Sequence, residues 1–165
     1  LADTILYKER GQEIFIRAQG HIRAALCMGL KDRVYTRLSA GGPVSLIVDL
    51  SSCSYMDSTF LGLLVGFRKA LKQIPGSGIS LHGPDQTCRD LLKSVGILGI
   101  VPVSDEVPEF PPFLEDMGQQ DAPSADFILD VHEDLMELSE ENRRRFAGLQ
   151  AVLKKKIEED KGGST

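Results

Sequence analysis

Residues 44–62 read Val-Ser-Leu-Ile-Val-Asp-Leu-Ser-Ser-Cys-Ser-Tyr-Met-Asp-Ser-Thr-Phe-Leu-Gly. The first seven are almost continuously apolar. Uninterrupted hydrophobicity, as opposed to strict alternation, marks a strand covered on both faces, as in a sheet flanked by helices. Polar residues close the run at Asp49 and at Ser51, Ser52 and Ser54. Asp57, Ser58 and Thr59 then stand where a helix begins, and these residue types satisfy the free N–H groups of a first helical turn. From there Phe60, Leu64, Phe67, Leu71 and Ile74 recur at three- and four-residue spacing, widened by Leu61 and Val65. That is the stripe of a helix lying on a core. A buried strand, a polar connection and an amphipathic helix form one half of a parallel crossover unit.

The pattern repeats outward. Upstream, residues 5–7 and 13–18 predict two strands turning at Gly11, the second ended by Gly20. Ile22, Leu26, Leu30, Val34 and Leu38 predict a helix, stopped by Gly41-Gly42-Pro43. Downstream, residues 75–78 break the second helix, and residues 79–82 predict a strand. Pro84-Asp85 opens a third helix carrying Cys88, Leu91, Leu92 and Val95. Residues 100–103 predict a last short strand, which Pro102 confines to an edge. Helices alternating with strands give an α/β fold, a mixed sheet flanked by helices.

Beyond residue 103 the composition changes. Pro108, Pro111, Pro112 and Pro123 mix with acidic residues and Gln, which predicts a linker over 104–123, hugging the domain or partly disordered. From Ser124 the spacing of Ile128, Val131, Leu135 and Leu138, continued by Phe146, Leu149, Leu153 and Ile157, predicts one long amphipathic helix over 124–161, with Gly148 as a possible break. Its apolar stripe is narrow. Two uses fit: folding back onto the domain, or pairing with a second copy as a homodimeric coiled coil. The division expected is a domain over 1–103, the linker, and a helical extension.

The 165 residues carry a net charge of -5. An acidic chain argues against broad nucleic-acid binding, which needs clustered cations. Arg143-Arg144-Arg145 and Lys154-Lys155-Lys156 sit among glutamates and read as solvated helix faces. Cys27, Cys53 and Cys88 are odd in number and widely spaced, and His21, His82 and His132 lack ligand spacing. This fits a reducing, cytoplasmic setting and argues against disulfides and a metal site. The three histidines are expected at the surface or partly buried. No apolar run is long enough for a membrane span, and no signal peptide is recognisable.

Chemistry concentrates at residues 57–59, beyond the carboxyl end of the buried strand, where α/β sheets gather functional groups. On the plainer view Asp57 or Ser58 is a helix cap. On the functional view Ser58 presents a hydroxyl for phosphorylation at a helix N-terminus able to hold the phosphate. The two are compatible. Enzymatic readings lack support: no histidine or lysine lies near Ser58 in sequence to activate it, His82 is the one expected to approach the same rim, and no phosphate-binding loop occurs.

Val48-Asp49-Leu50-Ser51, then Met56-Asp57-Ser58-Thr59 and Leu61-Gly62, resembles the signature of STAS domains, in particular bacterial anti-sigma factor antagonists. The resemblance covers about residues 5–103. It implies the STAS-type sheet, with the long C-terminal helix as an addition, and assigns phosphorylation to Ser58, with Asp57 and Thr59 as switch-site neighbours. It implies no catalytic residue, metal or cofactor; ATP and Mg²⁺ would belong to the kinase. The implied function is regulation of sigma-factor-dependent transcription. The unphosphorylated protein sequesters an anti-sigma factor serine kinase, phosphorylation ends the contact, and a PP2C-type phosphatase restores it. The alternative is a STAS scaffold or response module in another kinase/phosphatase pathway, controlling motility, biofilm or secretion. Phe60 departs from the family, which commonly has glycine there. Its place in the helical period predicts a buried core residue.

Overall fold

The structure, a computed structural model, describes residues 2–118 and 122–162. The hairpin expected around Gly11 joins β1 (Thr4–Arg10) to β2 (Glu13–Ile22). A single 3-10 turn leads into α1 (Met28–Ser39), followed by β3 (Ser45–Met56) and α2 (Ser58–Lys72). Then come β4 (Gly78–His82), α3 (Gln86–Ser94), β5 (Val103–Ser104) and β6 (Glu115–Asp116). Two helices close the chain, α4 (Ala125–Met136) and α5 (Glu140–Gly162). The sheet order is β5-β4-β3-β2-β1-β6; β1 is antiparallel to both neighbours and the remaining pairs are parallel. The class is the mixed α/β sheet flanked by helices that the sequence predicts, with a long helix at the C-terminus.

Gly20 does not end β2. The strand runs on to Ile22, and Gly20 takes φ 74° where the β2–β3 register shifts. A side chain there would collide with Asp3, and only glycine adopts this conformation cheaply. Consequently Ile22 closes a strand and does not open α1. The paired β3 likewise continues through the serines to Met56, which is buried. This long two-stranded arm carries the start of α2 beyond the end of β4.

Leu46, Val48 and Leu50 of β3 pack with Leu30 and Val34 of α1, Phe60 and Phe67 of α2, and Leu92 of α3 in one core. Phe60 is fully buried, as its period requires. Side chains alternate across a strand, so Ile47 and Asp49 turn to the opposite face with Phe15 and Arg17. The Pro-rich segment covers that face. Val107 and Ser51 both lie against Gly83. The Phe110 ring stands edge-on to Phe15 at 5.1 Å, and the Arg17 guanidinium, paired with Asp49 at 2.8 Å, stacks over Phe110. The segment then adds β6 to the sheet edge. The expected linker is thus a strap with a strand inside it; its residues 119–121 lie outside the described part.

The single helix expected over 124–161 is two. Chain direction changes at residues 137–139, not at Gly148. The Ser139 hydroxyl accepts from the Asn142 N–H at 3.0 Å, and Glu140 and Glu141 occupy the first turn of α5, where the helix dipole favours acidic groups. This serine–acid signal is readable in sequence, but the continuing apolar stripe conceals it.

Candidate functional site

Asp57 is the N-cap of α2. One carboxylate oxygen accepts from the Phe60 N–H at 3.0 Å, and the other accepts from the Ala24 N–H at 2.9 Å. The same side chain therefore fixes the helix start and ties it to the turn before α1. Ser58 is the first residue inside the helix, half-buried. Thr59 is buried in the core, so of these two hydroxyls Ser58 lies nearer solvent. The three predicted neighbours are contiguous, with distinct tasks: cap, hydroxyl and packing.

The Ser58 hydroxyl does not face open solvent as its position at a helix start suggests. It meets His132 of α4, with Oγ 2.8 Å from Nε2. His132 Nδ1 lies 2.7 Å from the Ile128 carbonyl oxygen. A carbonyl only accepts, so Nδ1 carries the proton. The neutral imidazole then accepts at Nε2 and Ser58 O–H donates. The Phe146 ring of α5 packs edge-on against the imidazole at 5.2 Å. His132 is 1% exposed, and burial holds its pKa below the usual histidine value despite the opposing pull of the Ile128 carbonyl and the Asp57 carboxylate. The expectation of a surface or partly buried histidine fails at this position.

His82, the histidine expected near the rim, turns away. Its ring pairs with Ser80 Oγ at 2.8 Å and the Glu106 carbonyl at 3.0 Å, on the strap side of the sheet. His132 takes that place from 74 residues along the chain. A serine, a histidine and an orienting carbonyl are the parts of an activated nucleophile. Here the histidine comes from α4, which packs against α2, so the pair lies at the contact of the two helices, with His132 buried and Ser58 half-buried. Among the described residues no group of His, Cys, Asp or Glu has metal-site geometry. The three cysteines are buried and free.

Helix α4 reaches Ser58 because α2 lets it come close. A Cβ on Gly62 would run into the Val131 carbonyl, and one on Gly66 would sit 2.8 Å from an Asp134 carboxylate oxygen. At Gly62 the α4 backbone rests directly on α2, and at Gly66 the Asp134 carboxylate and the Tyr35 hydroxyl of α1 take the space of a side chain. The Lys69 ammonium binds Asp134 and Glu137 at 3.4 and 3.1 Å, and Lys31 of α1 pairs with Asp130 at 3.8 Å. Phe127, Val131 and Leu135 complete the core. The hairpin is pinned at its bend by Asn142, whose buried amide donates to the Val95 and Leu135 carbonyls at 3.0 and 2.8 Å. Sequence reading missed His132, Gly62 and Gly66 as parts of this site; the available signal was the four-residue spacing of glycines on a helix otherwise apolar all round.

Comparison with known proteins agrees on the fold. The family model described as Mlab, STAS domain matches residues 5–102. The structure of the unphosphorylated anti-sigma factor antagonist SpoIIAA superposes with a TM-score of 0.55 at 20% identity, over 62% of this chain and 89% of that one. An anti-sigma factor antagonist of Mycobacterium paratuberculosis gives 0.52 at 16% identity, over 64% and 87%. The phosphorylated Bacillus cell fate determinant SpoIIAA gives 0.52 at 20%, over 62% and 92%. The family match ends before α4 and α5. Among the described residues no helix is long and apolar enough to cross a membrane.

Proposed function

The chain belongs to the STAS domain family, and on that premise we propose that it is an anti-sigma factor antagonist switched by phosphorylation of Ser58. One observation carries the reading. Ser58 is the first residue of α2, immediately after a cap whose two oxygens are both engaged, on a fold shared with antagonists in both phosphorylation states. Phosphate at a helix N-terminus is favoured by the N–H groups and dipole there, so modification leaves the helix intact. It alters what the surface can bind, because a partner that buries a hydroxyl cannot bury a phosphate without new cations.

In this reading the unmodified protein sequesters an anti-sigma factor serine kinase, which uses its own ATP and Mg²⁺, and a PP2C-type phosphatase resets the serine. The protein acts in the cytoplasm on sigma-factor-dependent transcription, as a binding module and not an enzyme. A STAS response module in a different kinase/phosphatase pathway would use the same serine with another partner. The test is affinity capture from the source organism with wild-type and Ser58→Ala bait, followed by phosphopeptide mapping with the captured kinase and ATP. A kinase retained by both baits, with phosphate on Ser58 in the wild type and none in the variant, is the expected result. Phosphate on exposed Ser54 with Ser58 untouched refutes the assignment. Equal partner affinity of the phosphorylated and unmodified proteins refutes the switch.

A further inference from the structure

The hairpin of α4 and α5 lies outside the matched family region, yet it covers the hydroxyl on which the proposed switch depends. We infer that the hairpin is a lid closed in cis over Ser58, that a kinase or partner must displace it to reach the serine, and that phosphate on Ser58 holds it open. This rests on the reading of Ser58 as the modified hydroxyl and adds how access to that hydroxyl is governed.

The closed state is built around a donated proton. Ser58 O–H gives it to His132 Nε2, and the Ile128 carbonyl keeps Nδ1 as the protonated nitrogen. Phosphorylation replaces that hydrogen with a phosphoryl group. A lone-pair nitrogen then faces phosphate oxygens where it had a donor. Phosphorus and three further oxygens must also fit into a gap now spanned by a 2.8 Å contact. The added charge is about -1.5 to -2 at neutral pH, beside the Asp57 carboxylate. Lys31 and Lys69, which face α4, are engaged with Asp130 and with Asp134 and Glu137, and Arg23, next to the Ala24 N–H that binds Asp57, pairs with Asp3 at 3.7 Å. Protonating His132 would relieve the conflict at the cost of placing a charge on a ring that is 1% exposed.

Opening the lid releases Phe127, Val131, Leu135 and Phe146 from the core, the Asn142 bond to the Val95 carbonyl and the ion pairs of Lys31 and Lys69, while the six strands pair with one another without the hairpin. By linkage, a partner that binds only the open lid and a phosphate that favours the open lid each strengthen the other's effect by the same free energy.

The test uses the full chain with phosphoserine placed at position 58 by amber suppression, compared with unmodified protein and Ser58→Ala by hydrogen–deuterium exchange. Phosphoserine should speed exchange of amides in 125–162 by about tenfold or more, leaving β3 and β4 within about twofold, as expected for a local opening. Ser58→Ala removes one hydrogen bond without adding charge and should raise hairpin exchange by less. Hairpin exchange unchanged or slower with phosphoserine overturns the lid, since the phosphate would then be accommodated by His132. A rise shared equally by the sheet, or equalled by Ser58→Ala, also overturns it. The phosphate is installed without a kinase, so a positive result here beside a failed phosphopeptide map would refute Ser58 as the cellular target and leave the lid standing.

Discussion

His132 is neutral in the closed protein, and this sets the direction in which acid acts. It faces the Ser58 hydroxyl and Asp57 carboxylate of α2, the Ile128 carbonyl on its own helix and the Phe146 ring of α5. Its folded pKa lies below the unfolded value of about 6.5. As pH falls, the unfolded chain takes up a proton before the folded one, so stability declines through about pH 6.5 and the decline stops below the folded pKa. The urea midpoint should therefore drop further between about pH 7.5 and 5.5 in wild type than in His132→Gln. Subtracting the two cancels the contribution of groups that do not couple to His132. Equal drops would mean that His132 titrates alike in both states. At this scale Asp57 and Ser58 were legible, because a cap and its neighbour are defined by local spacing. His132 was not, since nothing local distinguishes a histidine on an amphipathic stripe from one that will meet a serine 74 residues away.

Helix α2 shows how an element can be recognised while its environment is missed. Its stripe predicted one face on the sheet, yet residues 59–67 are buried without exception. A helix apolar all round needs cover on both sides, and α4 supplies the second. The stripe of Ile128, Val131 and Leu135 suited a coiled coil equally well in sequence. What the fold-back requires is the absence of a side chain at Gly62, where the α4 backbone at Val131 fills that space. Gly62→Ala separates the two influences on this position. Alanine is the better helix former by about 1 kcal/mol, so an unconstrained site would gain stability. Here the Cβ meets backbone of α4, and overpacking of this kind costs about 1–3 kcal/mol. The urea midpoint should fall, with faster exchange confined to the hairpin. A raised midpoint would show that α4 moves aside without penalty. The β2–β3 extension was likewise hidden, because Gly20 and the serines read as strand ends until the ladder pairs Gln19 with Ser52 and Gly20 with Cys53.

For the molecule as a whole, the sequence division at residue 103 marks where the repeating strand–helix pattern stops, not where the folded contacts stop. The strap covers Phe15 and pairs with β1, and Phe127, Val131, Leu135 and Phe146 belong to the same core as the sheet. Strap and hairpin contribute differently. The strap finishes a sheet face; the hairpin covers α2, reaches α1 at Lys31 and the end of α3 at Val95, and adds no strand to the sheet. Truncation after Gly118 therefore keeps every described strand and α1–α3 and removes the cover of α2 together with the contacts to Lys31 and Val95. The shortened protein should unfold cooperatively in urea, at a lower midpoint. It should also expose a patch around Gly62, Val65 and Gly66, and contiguous apolar surface of this kind drives association. Sedimentation velocity should then show the full chain as a monomer, because Val131, Leu135, Phe146 and Leu153 of its stripe are already buried and the exposed remainder, Leu149 and Val152, is small. The truncated chain should show concentration-dependent self-association that Gly62→Lys suppresses. Loss of cooperative unfolding on truncation would make the hairpin part of the folding unit and not a cover. A full chain that dimerises while the truncated one stays monomeric would assign α5 the coiled-coil role that its stripe also permits.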